Sequence, residues 1–199
     1  MKTKIAVFVS GGGTNLQALI DAEKRGEISS GEIDLVLASN DKAYALTRAA
    51  ENGIASAVVK RKDFDSQIAY EEELKRILAE RGIGMIVLAG FMTILSENFT
   101  GAYPKRIINV HPSLIPSFCG DGFYGLRVHE AALKYGVKVT GATVHYVNEV
   151  TDGGEIILQK AVEIEEGDTA ETLQKRVMEQ AEWILLPRAA ELVAKILQA

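Results

Sequence analysis

The chain has a single cysteine, Cys119, in 199 residues. An internal disulfide and a cysteine-rich zinc site are therefore both excluded. Its neighbours in SFCGDG include no adjacent base, so Cys119 reads as an incidental loop thiol and not as a nucleophile. Histidine is almost as scarce, and His111, His129 and His145 lack the spacing of a metal site. No apolar run approaches the roughly 20 residues of a membrane span. The apolar part of the opening MKTKIAVFVSGGG is too short for a signal peptide and leads straight into a strand, which implies a cytoplasmic protein. A basic excess is missing as well: 22 Lys and Arg against 27 Asp and Glu leave a net charge of −5. Non-specific nucleic-acid binders need the opposite balance. A local basic cluster, KRKDF (60–64), has a solvated loop as its ordinary reading.

What is present is a regular alternation. IAVFV (5–9), IDLVLAS (33–39), SAVV (56–59), MIVLAG (85–90) and RIINV (106–110) are short continuous apolar runs, the mark of strands buried on both faces. Amphipathic stretches stand between them: NLQALIDAEKRG (15–26), ALTRAAENG (45–53) and SQIAYEEELKRILAERG (66–82). This order predicts a doubly wound α/β fold with a mostly parallel sheet in a single domain. GVKVTGATVHYV (136–147) and GGEIILQKAVEI (153–164) alternate instead, which predicts an antiparallel pair added in the C-terminal half. Residues 169–197 read as helix, interrupted near Pro187.

VSGGGTNL (9–16) lies between the first strand and the first helix. Glycines allow a tight turn, and the helix N-terminus that follows offers unpaired amides with partial positive charge. Two familiar dinucleotide and nucleotide motifs fail here. G-x-G-x-x-G from Gly11 would need glycine where Leu16 stands, no acidic residue ends the second strand at Ser39, and Gly-Lys-Ser/Thr is absent. A site for one terminal phosphate, with Thr14 and Asn15 as added donors, and a turn with no ligand both remain open.

In INVHPSLIP (108–116), Asn109 and His111 stand two apart at the end of a strand and so share a face. Pro112 ends the ladder and Pro116 stiffens the exit. An amide donor and a protonatable ring on rigid backbone suit an oxyanion site with proton transfer, although a lone histidine at a strand end is more often structural. Asp152 in TDGG is either a turn residue or a carboxylate reaching across to His111. Thr143 and His145 read as a buried polar pair or as support for the site. His129, opening VHEAALKYG, reads as a surface or capping residue. A hydrolase triad is disfavoured, since no serine pairs with a histidine.

SGGGTNL, VLAGFMTIL, NVHPSLIPSF, GATVHYVNEVTDGGEIILQ and EGDT follow one another in an order and spacing that resembles the glycinamide ribonucleotide formyltransferase family over essentially the whole chain. The resemblance implies a Rossmann-like formyltransferase fold and transfer of a formyl group from 10-formyltetrahydrofolate, a co-substrate, to the amine of glycinamide ribonucleotide in purine synthesis, with no metal. It assigns Asn109, His111 and Asp152 as catalytic. It gives Gly12, Gly13, Thr14 and Asn15 to the ribotide phosphate, with Gly90 near the ribotide and Glu182 on the ribose hydroxyls. The folate wall is Phe91, Met92, Thr93, Ile94 and Leu95. Val147, Asn148, Glu149, Val150, Thr151 and Asp152 grip the pteridine, and Asn109 meets the folate too. The ribotide half is then about 1–110, and the folate and catalytic half about 111–199. Small molecules are the implied partners, not nucleic acid or membrane, for a monomer or homodimer.

Four places depart from that pattern. Thr93 and Gln67 stand where arginines occur in other members, so binding of the folate glutamate tail is expected to be weaker or to use Lys60–Lys62. CGDGFYGLRVHEAAL is longer than the corresponding loop in several members, and a one-residue insertion precedes Glu182. Methionyl-tRNA formyltransferase, with its added RNA-binding domain, and formyltetrahydrofolate deformylase, with its regulatory domain, are disfavoured by length. A non-catalytic ribotide- or folate-binding module would keep SGGGTN without needing Asn109, His111 and Asp152 together.

Overall fold

The structure, a computed structural model, describes residues 1–198. The strands are β1 (Thr3–Val9), β2 (Gly31–Ala38), β3 (Ala55–Val58), β4 (Met85–Leu88), β5 (Ile107–His111), β6 (Val139–Tyr146) and β7 (Ile156–Glu163). They form one sheet in the order β3-β2-β1-β4-β5-β6-β7. The pairs from β3 through β5 are parallel, whereas β6 pairs antiparallel with β5 and with β7. The fold is thus the doubly wound, mostly parallel α/β sheet with an antiparallel extension that the alternation of apolar runs implies.

Pleating explains the continuous apolar run in β1 from Ile5 to Val9. Ile5, Val7 and Val9 point into one core, under α1 (Thr14–Lys24) and the C-terminal helices. Ala6 and Phe8 point into the other, under α3 (Gln67–Arg81), with Tyr70, Leu74 and Leu78 against them. Ser66 caps α3 by accepting the Ala69 N–H at 3.0 Å, and Gly82, with φ 67°, ends it. The remaining helices are α2 (Ala45–Glu51), α4 (Glu97–Thr100), α5 (Leu126–Tyr135), α6 (Ala170–Val177) and α7 (Trp183–Ile196).

The expected interruption at Pro187 is corrected by the structure. Pro187 lies inside α7, and the irregularity sits upstream, where Met178–Glu182 form a π turn between α6 and α7. A π turn holds one more residue than an α turn and is a known way to distort a helix without breaking it. Its position coincides with the insertion expected before Glu182.

Candidate active site

Sheets of this kind bind ligands beyond the carboxyl ends of their strands, where the strand order reverses. Here the reversal lies between β1 and β4. The glycine loop leaves β1 at that point, and the segment from Gly90 to Leu95 leaves β4 beside it. Ser10 ties the two together: its hydroxyl accepts the Met92 N–H at 2.9 Å and the Ser39 hydroxyl at 2.7 Å.

Asn109 and His111 project from one face of β5. The antiparallel register sets His145 opposite Asn109 and Thr143 opposite His111. Directly opposed residues of such a pair share a face, so β6 delivers a second ring to the same spot. Asp152 arrives from the β6–β7 connection with φ 55°, a left-handed conformation that aspartate tolerates better than most residues. The two glycines after it are steric necessities. A Cβ on Gly153 would lie 2.6 Å from Val150 Cγ1, and one on Gly154 would run into the Tyr146 carbonyl.

Each nitrogen of His111 faces an acceptor. Nε2 is 2.9 Å from the Phe118 carbonyl oxygen, and Nδ1 is 3.4 Å from Asp152 Oδ2. Oδ2 also accepts the Gly120 N–H at 2.9 Å. The ring of His145 donates through Nδ1 to the Tyr146 carbonyl at 2.8 Å. Its Nε2 lies 3.2 Å from Asn109 Nδ2, a contact that holds the Asn109 amide against the β6 ring. His145 Nε2 lies 3.6 Å from Asp152 Oδ1. Burial pushes the Asp152 carboxyl up, but His145, the Gly120 amide and His111 together hold it below its ordinary value, as a carboxylate.

These residues sit at the polar end of a cleft of about 550 Å³. All the residues assigned to folate line it: Phe91, Met92, Thr93, Ile94 and Leu95 on one side, Val147, Asn148, Glu149, Val150, Thr151 and Asp152 on the other, with Asn109 at the end and Gly90 beside it. Among the described residues no lysine or arginine lines the cleft. Lys60 is engaged by Asp41 at 2.7 Å, and Arg61 by Gln67 Oε1 at 2.8 Å and the Phe64 carbonyl at 2.9 Å. Gln67 braces the wall itself, donating to the Ile94 carbonyl at 3.1 Å and to the buried Glu71 carboxylate at 2.5 Å.

Gly12, Gly13, Thr14, Asn15 and Glu182 lie outside that lining, around the start of α1 and the π turn. Asn15 Nδ2 donates to Glu182 Oε2 at 2.8 Å. Glu182 is 6% exposed, and burial raises its carboxyl to about 7, against the Asn15 hydrogen bond that lowers it. The carboxyl is neutral in the fold at pH values where it ionises readily in the unfolded chain. Ionising it in place costs stability as pH climbs from the unfolded value of 4.5 to about 7, to a total of roughly 3 kcal/mol. Glu182→Gln, whose amide oxygen can still accept from Asn15, is expected to be more stable than the native chain by up to that amount near pH 8. The two should be equal near pH 4, as checked by chemical denaturation at both values.

One sequence expectation needs revision here. His129 is neither on the surface nor a cap. It is 0% exposed on the inner face of α5, with both ring nitrogens unpartnered among the described residues, and burial followed by the nearby His111 lowers its pKa to about 4. Thr143 and His145 are both buried, as expected, and Thr143 supports the site: it donates to the Ser113 carbonyl at 2.7 Å and accepts the Ile115 N–H at 3.1 Å, so it holds the turn after His111. Cys119, partly buried, stays a thiol, because burial and Asp152 both push its pKa up. The sequence did not single out Ser10, Phe118 or Gly120. For Ser10 a signal existed, since Ser10 and Ser39 end neighbouring strands, whereas Phe118 and Gly120 act through backbone atoms that any residue carries.

Comparison with known proteins identifies the family. The formyl transferase family matches residues 3–189. The human trifunctional purine biosynthetic protein adenosine-3 is 42% identical over 193 residues, which is 97% of this chain but 18% of that protein. The chain thus spans less than a fifth of the trifunctional relatives. Phosphoribosylglycinamide formyltransferase of Haemophilus influenzae is 40% identical, over 89% of this chain and 81% of its own. Among solved structures, glycinamide ribonucleotide transformylase 1 from Symbiobacterium toebii superposes with a TM-score of 0.90 at 38% identity, covering 98% of this chain and 88% of the other. The Brucella melitensis phosphoribosylglycinamide formyltransferase gives 0.88 at 41%, covering 98% and 96%. The chain belongs to the formyl transferase family.

Proposed function

We propose that the chain is a phosphoribosylglycinamide formyltransferase. It transfers the formyl group of 10-formyltetrahydrofolate to the amine of glycinamide ribonucleotide, giving formylglycinamide ribonucleotide and tetrahydrofolate. The observation that carries this reading is the meeting of Asn109, His111 and Asp152 at the polar end of an apolar cleft, beside a glycine loop. Folate supplies an activated formyl group, and its flat ring and linker suit a cleft walled by Phe91, Met92, Ile94, Val147 and Val150.

The residues then divide the work. Asn109 Nδ2 and His111 Nδ1 donate to the formyl oxygen as negative charge grows on it during attack by the ribotide amine. Phe118, accepting from Nε2, holds the imidazole so that Nδ1 faces the reaction. Asp152 balances the charge on the ring and, through water, carries the proton from the attacking nitrogen to N10 as the C–N10 bond breaks. Gly12, Gly13, Thr14 and Asn15 hold the phosphate, Glu182 the ribose hydroxyls, and Gly90 lies against the ribotide. The half up to about residue 110 supplies the phosphate loop together with Phe91–Leu95 and Asn109 of the folate cleft, and the half from about 111 supplies His111, Asp152 and the ribose-binding Glu182.

Its substrates are small molecules, and we place it in the cytoplasm as a monomer or homodimer that binds neither nucleic acid nor membrane. The net charge of −5 supports the first exclusion. Among the described residues no helix is long and apolar enough to cross a membrane. Mass spectrometry of a reaction containing 10-formyltetrahydrofolate, isotopically labelled in the formyl carbon, tests the assignment. Label is expected on the amine of the ribotide, and its absence from the ribotide would reject the reading.

A further inference from the structure

The glycine loop is held from behind by α2. The Ala45 N–H donates to the Gly11 carbonyl at 3.1 Å, and Arg48 Nε donates to the Gly12 carbonyl at 2.8 Å. A trans peptide points its N–H away from its C=O, so these bonds turn the amides of Gly12 and Gly13 away from α2. Among the described residues no protein acceptor meets the amides of Gly12, Gly13, Thr14 or Asn15. Contact between loop and helix is direct: a Cβ on Gly13, whose φ is 72°, would lie 2.7 Å from the Ala45 Cβ. Arg48 is itself fixed, by Gln17 Oε1 at 3.1 Å and by the Tyr44 ring, 5.1 Å from the guanidinium carbon to the centroid. Its remaining N–H groups and its charge stay beside the loop.

We propose that Arg48 is a positioning residue of the ribotide phosphate subsite: by holding the Gly12 carbonyl it aims the Gly13 amide at the phosphate, and it lends the loop a positive charge. This rests on the reading of Gly12–Asn15 as that subsite. Its test compares the full chain with Arg48→Ala and Arg48→Lys, using glycinamide ribonucleotide, the dephosphorylated riboside and inorganic phosphate as a competitive inhibitor. Arg48→Ala is expected to raise the ribotide KM and the phosphate inhibition constant about 10-fold or more, as befits a lost charge-assisted hydrogen bond, while kcat falls less than about 3-fold. The riboside KM should change less than about 2-fold. Arg48→Lys, which keeps the charge without the planar fork, should recover part of the phosphate affinity. An unchanged ribotide KM and phosphate inhibition constant would overturn the role. So would an equal rise in KM for the riboside, which would indicate general loosening of the loop. If phosphate fails to inhibit the native chain, the phosphate reading of the loop itself is wrong, and that is seen before any variant is made.

Discussion

Asn109→Ala is expected to lower kcat by roughly 10²–10³-fold and to leave both KM values within a few-fold. The amide is held by His145 at 3.2 Å, and that ring is fixed in turn by the Tyr146 carbonyl. An amide anchored in this way stands ready before substrate arrives, so it stabilises developing charge without reorganising. Alanine removes the donor and leaves the His145 nitrogen without its partner. Thermal unfolding of the variant should show a native-like transition, which separates lost chemistry from lost structure. Turnover near that of the native chain would remove Asn109 from the oxyanion site.

The second large effect is expected at Asp152→Asn. Asparagine keeps the size of the side chain and tolerates the left-handed backbone that Asp152 adopts. What it loses is the negative charge lying 3.4 Å from His111 and 3.6 Å from His145. His111 then lacks its counterion, and no carboxylate is left to accept the proton of the attacking amine. Turnover should fall by roughly 10²-fold or more, in the range of a lost acid–base group, with folate affinity changed far less. Because its neighbours hold the Asp152 carboxyl below its ordinary value, the group stays ionised through neutral pH. The native rate should therefore show no step from Asp152 near pH 7, and its stabilising contribution to the fold should fade only in acid, below the unfolded value of 3.8. A variant with native turnover but weakened folate binding would make Asp152 a binding residue.

Much of this arrangement was legible before any coordinate. Strands buried on both faces carry continuous apolar runs, so Ile5–Val9, Leu35–Ala38 and Met85–Leu88 announce a covered parallel sheet. Asn109 and His111 stand out because strand parity and Pro112 are local rules. Asp152 was open between a turn residue and a catalytic one, since nothing local reveals that its connection folds back onto β5. The contacts from Phe118 and Gly120 were invisible for a different reason, because backbone atoms carry no residue identity. The position of His129 near the start of a helix suggests a cap or a surface residue. Val128 and Ala132 are buried with it on the same inner face, and that apolar spacing was the better guide. At Pro187 the local rule fails as well: α7 runs on through the proline, and the irregularity lies at the π turn before it.

The central claim is that two substrates meet at Asn109, His111 and Asp152, and the ribotide dependence of tetrahydrofolate release tests it most directly. With the native chain and 10-formyltetrahydrofolate, release is expected only when glycinamide ribonucleotide is added, at a rate that saturates with ribotide. Release at the same rate without ribotide would mean that water accepts the formyl group and would contradict formyl transfer to an amine; no release under either condition would make the chain a binding module.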